Sequence, residues 1–99
     1  MIKTLNLKKS FQLYEILEPY LTELEETSSY LEVAIVIIKK STENNDGAYA
    51  RSLSLMTGHN FEELADFPSS HNIKLFVEGL QKNNVYELKL FCESLINGR

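Results

Sequence analysis

Hydrophobic residues in the second half of the chain recur with the spacing of an α-helix. The clearest case is the segment 70–80, in which four large apolar residues fall at positions i, i+3, i+4 and i+7. These residues are Ile73, Phe76, Val77 and Leu80. Side chains with this spacing lie on one stripe of a helix. The pattern therefore predicts an amphipathic helix whose apolar stripe packs against the rest of the protein.

Start and stop signals divide the middle of the chain into two further helices. The first carries an apolar face made by Tyr49, Leu53 and Met56. Gly58 is expected to end it, because glycine readily adopts the left-handed conformation that closes a helix. Asn60 and Glu63 have the spacing of a reciprocal N-terminal cap and open a short helix, which Pro68 stops. Two short helices are therefore predicted on either side of Gly58.

The last two helices are each predicted from a cap and an apolar stripe. Ser69 or Ser70 is expected to cap the helix over residues 70–80. Asn84 and Glu87 have the spacing that starts a final helix. The apolar side of that helix consists of Leu88, Phe91, Cys92 and Leu95. The second half of the chain is therefore predicted to form four short helices.

The first nine residues are predicted to be either a short strand or an arm, since residues 2–7 alternate only loosely between apolar and polar. Ser10 is then placed to cap a helix. The apolar side of this helix consists of Phe11, Tyr14, Leu17, Leu21 and Leu24. Pro19 lacks an amide hydrogen, so we expect it either to kink the helix or to divide it into two near Glu18.

The segment Val33–Ile38 is compatible with either a buried strand or a helix, because most of its residues are β-branched. Ser29 and Glu32 precede it with the spacing of a capping box. Lys39 and Lys40 follow it and suit a helix C-terminus, so a helix is favoured. A segment that is apolar on nearly every side is expected to be buried all round, as the central helix of the core or of an oligomer.

Together these elements predict a mainly α protein. We expect a compact bundle of about five short helices, with or without a short N-terminal strand, in a single domain over residues 1–99. The polar, turn-forming residues 41–47 are expected to form a mobile loop. The single cysteine, Cys92, excludes an internal disulfide and fits a reducing compartment.

The location of the protein is inferred from its apolar runs. The N-terminal residues lack the continuous apolar stretch of a secretory signal. The longest apolar run, Val33–Ile38, is far shorter than the ~20 residues that span a bilayer. We therefore expect a soluble cytoplasmic protein with no membrane partner.

Charge is distributed unevenly along the chain. The net charge is −4, and six glutamates but no lysine or arginine lie between Glu15 and Glu32. Glu23, Glu25 and Glu26 are candidates for a face that docks a basic partner, although a solvated helix face is the commoner meaning of such a block. Basic residues do not cluster with interleaved aromatics, so a nucleic-acid partner is not expected.

Residues capable of catalysis or metal binding do not form a recognisable motif. Five histidines and carboxylates lie between His59 and His71, but their spacing matches no zinc-protease or paired-cysteine pattern. Cys92 lies on the apolar side of its predicted helix, which favours a buried, unreactive thiol. A glycine-rich phosphate loop is also lacking. We therefore expect a protein that is not an enzyme and that has no metal, cofactor or small-molecule substrate.

Aromatic residues are the candidates for a protein-binding surface. The chain has five tyrosines and five phenylalanines, without tryptophan. Several are expected in the core, namely Phe11, Tyr14, Phe76 and Phe91. Tyr49, Phe61 and Tyr86 are less clearly interior, and we identify them as candidate anchors of an interface with another protein.

One region of the chain resembles a known family. The stretch Leu55–Leu64, with the sequence LMTGHNFEEL, is followed by Phe67-Pro68 and by the amphipathic segment 73–80 with Asn83. This order resembles the small tail assembly chaperones of long-tailed bacteriophages. In those proteins a helix commonly ends in Leu-Thr-Gly, and a Glu-Glu-Leu helix, a break and an amphipathic helix follow.

The resemblance implies a non-enzymatic chaperone that holds the long, aggregation-prone tape-measure protein and helps to recruit tail-tube subunits in the bacterial host cytoplasm. Such chaperones usually act in several copies, so a homo-oligomer is expected. The alternative is a small acidic regulatory or inhibitory protein that binds a basic protein surface. A helix-turn-helix DNA-binding protein is disfavoured by the acidic charge.

Overall fold

The fold is seen in a computed structural model, in which residues 4–21 and 29–97 are described. These residues form six α-helices: α1 (Leu7–Leu21), α2 (Tyr30–Asn44), α3 (Ala48–Thr57), α4 (Phe61–Ala65), α5 (Ser69–Lys82) and α6 (Val85–Asn97). The mainly α fold class is confirmed. Neither described range contains a strand. None of the six helices is both long and apolar enough to cross a membrane.

Helix α3 lies at the centre of the bundle. It packs against α1, α2, α4 and α5, whereas α6 packs chiefly against α1. The large side chains with no exposed surface come from four helices and form one core: Leu13, Leu17, Ile37, Met56, Phe76 and Leu80. The prediction that Val33–Ile38 forms the central helix of the core is therefore wrong, because α3 has that position and α2 lies beside it. The alternative, that it forms the central helix of an oligomer, stays a prediction.

Helix α2 confirms the prediction of a helix, and Ser29 caps it as expected. The Ser29 hydroxyl accepts a hydrogen bond from Glu32 N–H at 3.2 Å. Burial on all sides is not found, since Val33 and Ile37 are buried but Ile35 is 52% exposed. The reason is that α2 packs against its neighbours along one side, so part of its apolar surface remains outside the core.

Helix α1 begins earlier than predicted. Asn6 rather than Ser10 caps it, because Asn6 Oδ1 accepts a hydrogen bond from Lys9 N–H at 2.9 Å. The alternative of a strand over residues 2–7 does not hold for its described part. Leu5 donates its N–H to Asn83 Oδ1 at 2.8 Å instead. The N-terminal arm is therefore tied to a side chain at the end of α5.

Pro19 does not divide α1. The helix continues to Leu21, so the alternative of two helices meeting near Glu18 is wrong. Proline removes one hydrogen bond to the carbonyl four residues earlier. That loss falls in the last described turn of the helix, where Leu17 and Leu21 are nevertheless buried and hold the chain against the core.

The loop after α2 is shorter than predicted. Residues 41–44 of the expected loop 41–47 belong to the last turn of α2. The turn comprises residues 45–47, in which Asn45 and Gly47 have positive φ angles of 52° and 72°. Glycine and asparagine adopt this left-handed backbone more easily than other residues, so the local sequence accounts for the turn.

A buried tyrosine holds this turn through a carboxylate. The Tyr20 hydroxyl donates a hydrogen bond to Asp46, and Ala48 N–H donates to the same carboxylate at 2.9 Å. Both hydrogen bonds favour the charged form and lower the pKa of Asp46. Their contribution to stability is present above the ordinary aspartate pKa of about 4 and is lost as the pH falls through the lower pKa of the folded state.

We expect Tyr20→Phe to lower the free energy of unfolding by about 1 kcal/mol at pH 7, because the hydrogen bond is lost while the buried ring is kept. The difference from the wild type should shrink in acid, where the carboxyl is protonated in both states. Urea denaturation of both proteins at neutral pH and near pH 2 measures the difference in their free energies of unfolding. Tyr14→Phe is the control, because the described residues give the Tyr14 hydroxyl no hydrogen-bonded carboxylate. A loss that is equal at both pH values would contradict the assignment.

The predicted ends of α3 and α4 are confirmed, and the predicted start of α5 is not. Helix α3 ends at Gly58, which has a φ of 79°. Asn60 caps α4, since its Oδ1 accepts a hydrogen bond from the N–H three residues later at 2.9 Å. Neither Ser69 nor Ser70 caps α5. The helix begins at Ser69 itself, directly after Pro68 and without a side-chain cap.

The apolar stripe of α5 is rotated from its predicted position. Phe76 and Leu80 are fully buried as expected, but Ile73 and Val77 are only half-buried. The buried face consists of Leu75, Phe76, Gly79 and Leu80. Helix α5 packs against both α2 and α3, and the close approach of Gly79 to α3 turns the helix so that Ile73 and Val77 lie at the edge of the interface.

Helix α6 is less buried than predicted. Cys92 is buried as expected, and burial raises the pKa of its thiol, which therefore stays protonated at neutral pH. Phe91, however, is 49% exposed, so the prediction that it lies in the core is wrong. Its ring stacks on Phe11 with a centroid distance of 6.2 Å. Because α6 packs chiefly against α1, no other helix of residues 4–21 and 29–97 covers its outer side.

Candidate protein-binding site

An apolar pocket lies where α3, α4 and α5 meet. Its volume is about 190 Å³, and it is lined by Tyr49, Ala50, Leu53, Phe61, Leu64, Ala65 and Asn72. Such a volume is below the ~300 Å³ at which pockets for drug-sized ligands begin. It exceeds the ~150 Å³ of an engineered apolar cavity that holds benzene. The pocket therefore has the size to receive one aromatic or branched aliphatic side chain.

Tyr49 forms the α3 side of the pocket. It lies in the first turn of α3, where its half-buried ring meets Phe76 edge-to-face at a centroid distance of 4.9 Å. Phe76 is fully buried, so the tyrosine ring rests on a fixed support. Burial raises the pKa of Tyr49, and its hydroxyl is therefore a neutral hydrogen-bond donor at physiological pH.

Phe61 forms the outer rim of the pocket. It is the first residue of α4 and is 51% exposed. Two features position this short helix: the Asn60 cap at its start and the buried side chain of Leu64 on its inner side. The Ser54 hydroxyl also donates to the carbonyl of His59 at 2.5 Å, which fixes the chain between α3 and α4. The exposed ring is thus presented by a well-anchored backbone.

Asn72 supplies the polar group of the pocket. Its side-chain Nδ2 donates to the carbonyl oxygen of Leu64 at 2.8 Å and so joins α5 to α4. Its Oδ1 is buried and has no hydrogen-bond partner among the described residues. A buried acceptor without a donor is unfavourable, so this oxygen lowers the stability of the packing beside the pocket.

The two histidines take part in packing beside the pocket. The ring of Phe67 meets those of His59 and His71 at centroid distances of 5.9 Å and 5.2 Å. His59 Nδ1 lies 2.6 Å from Glu63 Oε2, although His59 precedes α4. Among the described residues, no group of three histidine, cysteine or carboxylate side chains is arranged to hold a metal ion.

The structure brings together two of the three aromatic residues predicted as interface anchors. Tyr49 and Phe61 line the same pocket. Tyr86 lies elsewhere, in contact with Tyr30 at a ring-centroid distance of 5.5 Å. The acidic candidates Glu23, Glu25 and Glu26 lie outside the described residues.

Asn72 was not predicted as a site residue. A single polar residue in the first turn of a helix has no sequence signature that distinguishes a position in a pocket from one in solvent.

Comparison with known proteins adds no family to this description. No protein-family model, no curated protein and no solved structure matches the chain. A functional assignment therefore rests on the residues of the chain and on their geometry.

Proposed function

We propose that this protein is a non-enzymatic assembly chaperone or adaptor that binds an amphipathic helix of another protein. The pocket between α3, α4 and α5 receives an anchor side chain of that helix, and Tyr49 and Phe61 pack around it. In the phage-tail setting that the sequence resembles, the bound protein is the tape-measure or a tail-tube-like protein. Binding then takes place in the bacterial host cytoplasm, without nucleic acid, membrane or small-molecule substrate.

The observation that carries this proposal is the exposure of Phe61 at the rim of an apolar pocket. Half of a large aromatic side chain faces solvent although α4 is held firmly. Burying apolar surface contributes about 25 cal/mol per Å², and aromatic anchors in pockets dominate the energy of many interfaces. A partner that covered Phe61 and filled the pocket would therefore gain binding free energy from burying both apolar surfaces.

The size and chemistry of the pocket favour a helix as the bound segment. An amphipathic helix presents apolar side chains at i, i+4 and i+7, so that one enters a small pocket while its neighbours cover the rim. Tyrosine and tryptophan combine an apolar ring with a donor. Such an anchor suits a pocket whose lining is apolar except for the hydroxyl of Tyr49 and the amide of Asn72.

The alternative function is that of an acidic regulatory protein that blocks a basic surface. The described glutamates of the acidic block, Glu15, Glu18 and Glu32, are exposed and so are accessible to a partner. Binding through exposed charges weakens strongly with salt, whereas insertion of an apolar helix does not. Salt dependence therefore separates the two functions.

Replacing Phe61 by alanine is expected to weaken partner binding at least about tenfold, a loss of about 1.4 kcal/mol. The test measures, by titration calorimetry, binding to helical segments of any long coiled-coil-like protein that is encoded beside this one. Phe91→Ala is a matched control, because Phe91 is 49% exposed and Phe61 51%, but Phe91 lies on α6. Affinity should change little between low and high salt.

Two outcomes would overturn this proposal, and a third would exclude its phage-tail setting. Equal binding by Phe61→Ala and the wild type would remove the pocket from the interface. Binding that disappears at high salt would favour the acidic regulatory protein. The phage-tail setting would be excluded if no long helical reading frame lay next to the gene.

A further inference from the structure

A second apolar surface lies on α2 and α5. Leu31 and Ile35 are one helical turn apart on α2, and each is 52% exposed. Leu31 lines a shallow groove of about 410 Å³ together with Ile73 and Val77 of α5. None of these residues belongs to the pocket that contains Tyr49 and Phe61. The fold therefore leaves uncovered an apolar face that is separate from the candidate protein-binding site.

The two helices of this face meet where α2 begins and α5 ends. Tyr30, in the first turn of α2, contacts Tyr86, which lies beyond the end of α5, and the Tyr30 hydroxyl is 3.4 Å from Asn84 Oδ1. The start of α2 thus lies beside the end of α5. In this arrangement the exposed side chains of both helices form one strip. The strip follows α5, whose helical rise is about 1.5 Å per residue.

Two charged residues line the same groove. Lys74 and Glu78 are one turn apart on α5, and both are exposed. The described residues provide neither of them with an ion pair. By contrast, Lys89 and Glu93 have the same spacing and order on α6 and approach to 3.9 Å. The groove therefore carries one positive and one negative side chain whose charges are not neutralised within the described fold.

We propose that the α2–α5 face is the interface of a homodimer, in which the α5 helices of two copies pack antiparallel about a two-fold axis. The axis passes between Lys74 and Glu78. Antiparallel packing reverses the order of the charges, so Lys74 meets the partner's Glu78 and Glu78 meets the partner's Lys74. Parallel packing would place like charges opposite each other. The charge order on α5 therefore fits a second copy in the antiparallel orientation and disfavours the parallel one.

A second copy is a good fit for this face because a two-fold interface must be complementary to itself. One ion pair on each side of the axis satisfies that condition. The apolar residues Leu31, Ile35, Ile73 and Val77 of the two copies then cover each other. The strip spans two short helices, so the interface is small, and the dimer is expected to dissociate on dilution.

This inference goes beyond the proposed function and does not depend on it, since the two surfaces share no residue. Loss of dimerisation would leave the binding pocket intact. Conversely, a Phe61→Ala variant that failed to bind its partner should still form the dimer. Each proposal can therefore fail alone.

Charge reversal tests the interface by sedimentation equilibrium across a wide range of protein concentrations. Lys74→Glu gives each copy two negative side chains in the interface, and Glu78→Lys gives each copy two positive ones. Like charges then face each other, so each single variant should dimerise at least about tenfold more weakly than the wild type. The double variant K74E/E78K restores the complementarity in swapped form. Its dimer should return to within about threefold of the wild-type affinity.

Mixing the two single variants gives the most specific readout. The Lys74→Glu variant carries two negative side chains that are fully complementary to the two positive ones of the Glu78→Lys variant. The mixture should therefore form heterodimers although neither variant dimerises well alone. Both substituted positions are exposed in the monomer, so the melting temperatures at low concentration should stay close to that of the wild type. Leu31→Ser, which removes apolar surface without changing charge, should also weaken the dimer.

The proposal would be overturned by a wild-type protein that remains monomeric at every concentration. It would also be overturned by a dimer that the single charge reversals leave unchanged, because the contact would then lie on another face. A mixture of the two single variants that formed no heterodimer would exclude the antiparallel arrangement.

Discussion

Replacing Phe76 by alanine is expected to lower the free energy of unfolding by about 3–5 kcal/mol. Phe76 has no exposed surface, and it lies on the face of α5 that packs against α2 and α3. Truncation removes the buried ring and leaves a cavity beneath Tyr49. In the wild type the centroids of the Phe76 and Tyr49 rings lie 4.9 Å apart. Domains of this size are stable by about 5–15 kcal/mol, so the loss is a large part of the total.

Phe61→Ala is the matched control for this measurement. The two substitutions remove the same atoms, but Phe61 is 51% exposed and lies outside the core. Its loss should lower the free energy of unfolding by about 1 kcal/mol, well below the effect of Phe76→Ala. Both variants can be measured by urea denaturation followed by circular dichroism. A Phe76→Ala variant as stable as Phe61→Ala would mean that the buried face of α5 is assigned wrongly.

Three helix ends of this protein could be predicted because they depend on neighbouring residues, whereas the starts of α1 and α5 could not. Ser29 caps α2 through the N–H three residues later, and Asn60 caps α4 in the same way. Gly58 ends α3 with a left-handed backbone. Each of these interactions is made within one turn of helix. The spacing of the residues along the chain therefore contains all the information that is needed.

The buried side of each helix could be predicted only in part, because it depends on distant neighbours. Phe91 and Cys92 are adjacent and both apolar, yet Cys92 is buried and Phe91 is 49% exposed. The difference arises because α6 packs chiefly against α1. Likewise, Ile35 is exposed although the segment around it is almost wholly apolar. Hydrophobic periodicity indicates that a helix will be buried, but not how many helices will cover it.

The candidate site could also be predicted only in part, because its residues are local features but their arrangement depends on tertiary packing. Tyr49 and Phe61 could be selected from the sequence because both are less clearly interior than the aromatic residues of the long apolar stripes. Their meeting in one pocket depends on how α4 folds back against α3 and α5, which no local pattern specifies. The buried Oδ1 of Asn72 could not be predicted either, since it lacks a partner among the described residues only as a result of tertiary packing.

The contact between Gly79 and Met56 leads to the second large expected effect. Gly79 lies on the buried face of α5 and approaches α3 so closely that a β-carbon at this position would lie 2.7 Å from Met56 Sδ. Met56 is fully buried. Met56→Ala is therefore expected to lower the free energy of unfolding by about 2–5 kcal/mol, because it removes the group that fills the space above Gly79.

The effect of Gly79→Ala should change sign with the residue at position 56. In the wild type, the new methyl group would lie 2.7 Å and 2.8 Å from Met56 Sδ and Cε, so the end of this fully buried side chain must shift. We expect this overpacking to outweigh the better helix propensity of alanine, for a net loss of about 1 kcal/mol. In the Met56→Ala background the space is open, so the same substitution should stabilise the protein by about 1 kcal/mol. Urea denaturation of the four proteins in this cycle measures the coupling. Additive effects would show that α5 and α3 can separate at little cost. The close packing of Gly79 would then not explain the rotation of α5, nor the position of Ile73 and Val77 at the edge of the core.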